Sequence, residues 1–284
     1  MRMIRSALTF VLAIAVLVLT ACQADPGLKL YVFDCGNLKS SNPAILQERG
    51  VTTTDMSVAA YLIVHPRGTL LWDAGVIPDE LIKPEGTTVF RATASKTLQG
   101  QLAEIGYKPS DVTYLALSHY HYDHSANSNT FAGSTWLVHK PERDLMFSGN
   151  LGPSSANSPA PETTMSRFAA LRDSKTTLIE GDYDVFGDGS VVIVATPGHT
   201  PGHQSLLVNL PKTGPVILSG DLYHYPAERE LKDFTPFAAL GDPAVEELSK
   251  AKIETLIEKK HARLWIQHDL IANRELKKSP AFYD

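Results

Sequence analysis

The chain is poor in cysteine, with two in 284 residues, so a disulfide-stapled scaffold is excluded and stability has to come from a buried core. It also lacks basic charge: 26 Lys and Arg face 31 Asp and Glu, which removes the electrostatic footprint of a nucleic-acid binder. No GxSxG elbow presents a serine nucleophile. Internal repeats and long linkers are missing as well, so with 43% apolar residues the chain is large enough for one sizeable domain and gives no sign of two.

Long apolar runs are confined to the start. Arg2 and Arg5 precede Ala7 to Leu19, interrupted only by Thr9, and Leu19-Thr20-Ala21-Cys22 follows, the layout of an export signal too short to span a bilayer. The quartet resembles a bacterial lipoprotein cleavage box. That implies removal of residues 1 to 21, a lipid anchor on Cys22, and a place in the cell envelope, with Gln23 favouring the outer membrane. The expected mature domain is 22 to 284, with 24 basic and 31 acidic residues once Arg2 and Arg5 are gone. Cys35 is then its only thiol.

What the chain does have is Ser118 to His124, SHYHYDH, directly after the apolar run Val112 to Leu117. In extended backbone His119, His121 and Asp123 share one face, with the imidazoles about 7 Å apart at Cα and able to converge on a cation. A turn at Asp123-His124 would offer a carboxylate and a third imidazole to a second ion. Three later strands end in residues of the same kind: Val191 to Ala195 empties into TPGHTPGH with His199, Pro215 to Ser219 into Gly220-Asp221, and Ala262 to Gln267 into His268. Strand ends gathered at one sheet edge are where α/β folds place their sites. Asp73, ending the strand Thr69 to Trp72, is either a turn former or an acid that orients a ligand histidine.

The remaining pattern is scaffold. Strands are expected at Leu28 to Phe33 and Ser57 to Val64, the latter turning through Pro66-Arg67-Gly68, and a helix at Ser95 to Ile105. A second helix, opening at the start signal Asp242-Pro243, should run to Lys259 with Val245, Leu248, Ile253, Leu256 and Ile257 inward. Gly36 to Asp55 and Ser148 to Thr163 are expected as loops over the site. Of the other histidines, His203 is the best candidate for a supporting role, while His65, His139 and His261 fit structural or surface positions.

The ordered set HxHxDH, TPGHTPGH, SGD, the terminal His268 and the early LLWDAG resembles the metallo-β-lactamase superfamily over essentially the whole mature chain. The resemblance implies an α/β fold, an αββα sandwich of two mixed β-sheets flanked by helices. It implies one metal on His119, His121 and His199, a second on Asp123, His124 and His268, and Asp221 bridging both. Zinc is the simplest cofactor, with iron, cobalt and manganese also suited. Within the superfamily, DMSVAAYLIVHPRGTLLWDAG and the spacings to Asp221 and His268 are most similar to the N-acyl-homoserine lactonases. These open a lactone through a water activated between two metals, with Asp123 as proton shuttle. Those enzymes often carry a tyrosine three residues after the bridging aspartate, where this chain has His224 between Tyr223 and Tyr225. Either His224 takes that catalytic role or a neighbouring tyrosine reaches in. A glyoxalase II-like thioesterase, a phosphoesterase, and a metal-binding surface lipoprotein without catalysis are the other readings, and a homodimer is one option for the assembly.

Overall fold

The computed structural model describes residues 27–151, 165–231 and 241–284. The expected export signal, Cys22 and most of the expected loop Ser148 to Thr163 lie outside the described residues. Among the described residues fourteen strands form two sheets. The first contains β1 (Lys29–Leu38), β2 (Met56–His65), β3 (Gly68–Trp72), β4 (Thr87–Val89), β5 (Ala92–Ala94), β6 (Tyr114–Ala116), β7 (Thr135–His139), β8 (Thr176–Ile179) and β14 (Phe282–Tyr283). Its order is β4-β5-β1-β2-β3-β6-β7-β8, with β14 on β1. The second contains β9 (Tyr183–Asp184), β10 (Val191–Ala195), β11 (Gln204–Leu210), β12 (Gly214–Leu218) and β13 (Arg263–Trp265), ordered β13-β12-β11-β10-β9.

Both sheets are mixed. Antiparallel pairing joins β1, β2 and β3, whereas β3, β6, β7 and β8 are parallel. In the second sheet β10, β11 and β12 are antiparallel neighbours and β12 and β13 are parallel. Two antiparallel steps restore direction, so β10, β12 and β13 all run the same way. Their C-terminal ends therefore share one edge, the geometric basis for bringing His199, Asp221 and His268 together.

The strand period of two builds the layers. On β1, Leu30 and Val32 face β10 to β12 across the sandwich and pack with Val191, Ile193, Leu206 and Leu218. Tyr31 and Phe33 face the opposite way, into a cluster with Leu98 and Leu102 of the helix α2 (Leu98–Glu104), which follows α1 (Pro43–Glu48). On the far side, Val194, Leu207 and Ile217 meet Ile253. Helix, sheet, sheet, helix is the resulting stack. Each fully buried aliphatic side chain contributes about 1.5–3 kcal/mol before the entropy of ordering it.

Three further helices serve the site or cover the sheets: α3 (Tyr122–Ser125), α4 (Lys140–Met146) and α5 (Pro243–Lys260). A last one, α6 (Leu270–Glu275), follows His268. In α5 the expected inward face holds at Ile253, Leu256 and Ile257 and needs correction at Leu248, which is 71% exposed. Ser249, Lys250 and Ile253 are the buried stripe, with Glu246 one turn earlier and ion-paired to Lys250. Leu248 precedes Ser249 by one residue, about 100° around the helix, and so points outward. Gly36 to Asp55 is likewise more ordered than a plain loop, since it holds the end of β1 and all of α1. Among the described residues no helix is long and apolar enough to cross a membrane.

Candidate metal centre

SHYHYDH does not stay extended. The chain turns after Leu117, and Tyr122–Ser125 forms the short α3, so Asp123 and His124 are delivered by a first helical turn rather than by strand alternation. The expected residues nevertheless converge. His119, His121, His199 and Asp221 place one ligand atom each within 4.8 Å of one another, and so do Asp123, His124, Asp221 and His268. Asp221 belongs to both groups. Its Oδ1 faces His124 Nε2 and His268 Nε2, each at 3.0 Å, and its Oδ2 faces His119 Nε2 and His199 Nε2, each at 3.5 Å.

Hydrogen bonds on the outer side of each ring fix which nitrogen points inward. His268 Nδ1 lies 2.8 Å from the Ser57 carbonyl, which can only accept, so Nδ1 carries the proton and Nε2 presents a lone pair. His124 Nδ1 donates to Asp73 Oδ2 at 2.9 Å, with the same result. Asp73 also accepts the Ser118 N–H at 2.6 Å and the Ser118 hydroxyl at 3.1 Å, and that hydroxyl lies 3.1 Å from His119 Nδ1. Asp73 is thus an orienting acid as well as a turn residue, held at φ 60, a left-handed conformation that Asp tolerates better than most residues.

The donor set fits two cations. His124 Nε2, His268 Nε2 and Asp221 Oδ1 are buried without a hydrogen-bond partner, although lone pairs face lone pairs across 3.0 Å. Such an arrangement needs positive charge between the atoms. In the other half His121 Nδ1 lies 2.8 Å from His119 Nε2 and 3.0 Å from His199 Nε2. One ring proton cannot satisfy three nitrogens, whereas tetrahedral ligands about 2.0–2.1 Å from a zinc ion approach one another to about 3.3 Å.

Charge is arranged to match. Burial lowers His119 and His199 well below the usual imidazole range and takes His121 to about 4, keeping all three neutral and able to ligate. Burial alone would raise Asp221, but positive charge on the rings around it, His124 first, holds its carboxyl well below the usual carboxylate range. Against its own burial, His124 is raised well above the imidazole range by the same carboxylate. With those rings neutral as ligands, the cations would have to supply that charge. His203 supports Asp221 from behind. Its Nδ1 donates to the Thr196 carbonyl at 3.0 Å and its Nε2 accepts the Asp221 N–H at 3.0 Å, with burial holding the ring near 3 and neutral.

The residues after Asp221 separate cleanly. His224 turns inward, its Nε2 3.2 Å from Asp221 Oδ2 and its ring between those of His199 and His268, at centroid distances of 5.2 and 5.7 Å. Tyr223, an expected catalytic candidate, is placed elsewhere. Its hydroxyl is bonded to Glu254 of α5 at 3.0 Å, because alternation along an extended backbone sends neighbours to opposite sides. Tyr225 also points away, donating to the Thr54 carbonyl at 2.9 Å. His65 pairs with Asp188 at 3.0 Å and His139 Nε2 lies 2.9 Å from the Gly181 carbonyl, in keeping with structural roles.

Several supporting residues carried no signal of their own in the sequence. Ser57 also donates its hydroxyl to the Gln267 carbonyl at 2.8 Å. Gln204 bridges the sheets, its side-chain amide donating to the Leu117 carbonyl at 2.8 Å. Glu228 accepts the N–H groups of His224 and Tyr225 at 2.7 and 2.8 Å.

Residues 53–268 match the family profile of the metallo-beta-lactamase superfamily. The N-acyl homoserine lactonase AttM of Rhizobium radiobacter is 30% identical over 269 residues, covering 90% of this chain and 98% of that protein. The lactonase AiiA of Bacillus thuringiensis subsp. kurstaki is 24% identical over 237 residues, 80% of this chain and 87% of its own. Among solved structures, an N-acyl homoserine lactone hydrolase with N-hexanoyl-L-homoserine at its catalytic metal centre superposes with a TM-score of 0.70. It is 23% identical, over 90% of this chain and 99% of the other. The family profile, the end-to-end similarity and the shared fold agree, and the chain belongs to the metallo-beta-lactamase superfamily, alongside its N-acyl homoserine lactonases.

Proposed function

We propose that this protein is an exported, metal-dependent hydrolase that opens the lactone ring of N-acyl homoserine lactones and so quenches quorum signals. The observation that carries this reading is the pair of ligand sets joined through Asp221, set in a chain similar over nearly its full length to enzymes named for that reaction. Zinc suits the imidazole and carboxylate donors, as do iron, cobalt and manganese.

His119, His121, His199 and Asp221 would hold one ion, and Asp123, His124, His268 and Asp221 the other. Bound there, the two ions would supply Lewis acidity and lower the pKa of the attacking water. The protein groups do the rest. Asp123 has its Oδ2 3.5 Å from His268 Nε2 and 3.9 Å from His124 Nε2. It is placed to take the proton released by the water and return it to the alkoxide of the opened ring. His224 Nε2, on the Oδ2 side of Asp221, is placed to donate to the oxygen on which charge develops.

The test is to incubate the metal-loaded protein with acyl-homoserine lactones beside thioester and phosphoester substrates. Ring-opened acid is the expected product, and turnover of the thioesters or phosphoesters without lactone opening would overturn the assignment.

The envelope location rests on the Leu19-Thr20-Ala21-Cys22 box, and the lipid on Cys22 would hold a single domain, 22 to 284, at the periplasmic face of a membrane. Changing Cys22→Ala is expected to move the protein from the membrane fraction to the soluble fraction. Continued partitioning of the variant with membranes would defeat the anchor.

A further inference from the structure

Glu142 is a buried acid without a counter-ion. It lies in the first turn of α4 and is 2% exposed, and among the described residues it belongs to no ion pair, while the buried Glu246 has Lys250. Burial pushes its carboxyl up to about 7, opposed by hydrogen bonds from Thr200, Gly202 and Tyr120. An unpaired carboxylate taken out of water is costly, so its retention points to those bonds.

The three donors lie on the two loops that carry the first half-site. Oε1 accepts the Tyr120 N–H at 2.8 Å, and Tyr120 stands between His119 and His121 on the loop leaving β6. Oε2 accepts the Thr200 hydroxyl at 2.7 Å and the Gly202 N–H at 2.9 Å, both on the turn that follows His199. One oxygen holds the loop of the first sheet and the other the loop of the second. The approach is close enough that a Cβ on Gly202 would lie 2.5 Å from Glu142 Cβ, which accounts for glycine there. Across this seam His121 Nδ1 and His199 Nε2 stand 3.0 Å apart.

We propose that Glu142 is a positioning residue, whose carboxylate clamps the two loops so that His119 and His121 meet His199 at the spacing of a single cation. The inference rests on the two-metal reading above. It adds that retention of the first ion, rather than of both, depends on a residue that touches neither metal.

The test uses the full-length chain, freed of metal and reloaded with cobalt. Glu142→Gln keeps the size of the side chain but sets an amide N–H against a donor. Ions per chain are measured after equilibrium dialysis against graded chelator, and the visible spectrum of the cobalt form reports which half is filled. An Asp123→Asn reference, lacking a ligand of the second half, supplies the spectrum of the first. The wild type should hold two ions. Glu142→Gln should release the first-half ion at about tenfold lower chelator, or less still, and keep the second. Thr200→Val, which removes one donor, should move the same ion the same way by a smaller step, and it decides the matter if Glu142→Gln does not fold. Retention of both ions at wild-type chelator resistance, or parallel loss of both, overturns the proposal. A wild type that never takes up two ions removes the two-metal reading itself.

Discussion

Replacing Asp221 with Asn is expected to lower kcat/KM for lactone opening on the order of 10³-fold and to cost the protein at least one of its two ions. Among the described residues Asp221 is the one whose two oxygens face different halves, Oδ1 toward His124 and His268 and Oδ2 toward His119 and His199. An amide keeps one oxygen and turns an N–H toward the other half. That half then meets a donor where it needs an acceptor, whichever way the side chain flips. The backbone should be little disturbed, because the Asp221 N–H is held by His203 and not by the carboxylate. Metal analysis and steady-state kinetics on the same sample check the prediction. A folded Asp221→Asn protein with two ions and more than a tenth of wild-type kcat/KM would show that the carboxylate does not join the halves.

The residues that converge around Asp221 were legible because they lie at strand ends, where their types are unusual. Three histidines and an aspartate within SHYHYDH have few structural explanations, and each later ligand follows a β-branched or apolar run. The layers were legible for the same reason: alternating residues of β1 divide between the inner and outer clusters. What escaped is what depends on contacts far apart in sequence. Glu142 lies 58 residues from Thr200 and reads locally as an ordinary surface acid in a first helical turn. Ser57 and Gln267 are 210 apart and have no pattern at all. Hydrophobic periodicity holds for Ile253, Leu256 and Ile257, which pack inward, and fails at Leu248 because the buried positions earlier in α5 are polar, Glu246, Ser249 and Lys250, and carry no apolar signal. Between Tyr223, His224 and Tyr225 the sequence offered three polar rings and no means of choosing.

Replacing His224 with Phe is expected to lower kcat about 10²-fold while leaving both ions bound, the cost of removing one preorganised donor from a charged transition state. Phe keeps the ring contacts with His199 and His268, so the site should hold its shape while losing the Nε2 that faces Asp221 Oδ2 at 3.2 Å and the Nδ1 that lies 3.6 Å from Glu228 Oε1. The Glu228 carboxylate should still grip the backbone N–H groups of residues 224 and 225. Tyr223→Phe is the matched control, since it deletes a polar atom next in sequence whose partner is Glu254, and kcat should stay within about twofold. His224→Tyr sharpens the comparison by restoring a donor hydroxyl at the position where related lactonases often carry one. Recovery of most of the lost activity in His224→Tyr, with Phe inactive and two ions in each variant, would locate the effect in hydrogen-bond donation. If His224→Phe instead lost an ion along with its activity, the imidazole would be serving as a ligand to the first metal, and its place beside Asp221 Oδ2 would have to be read that way.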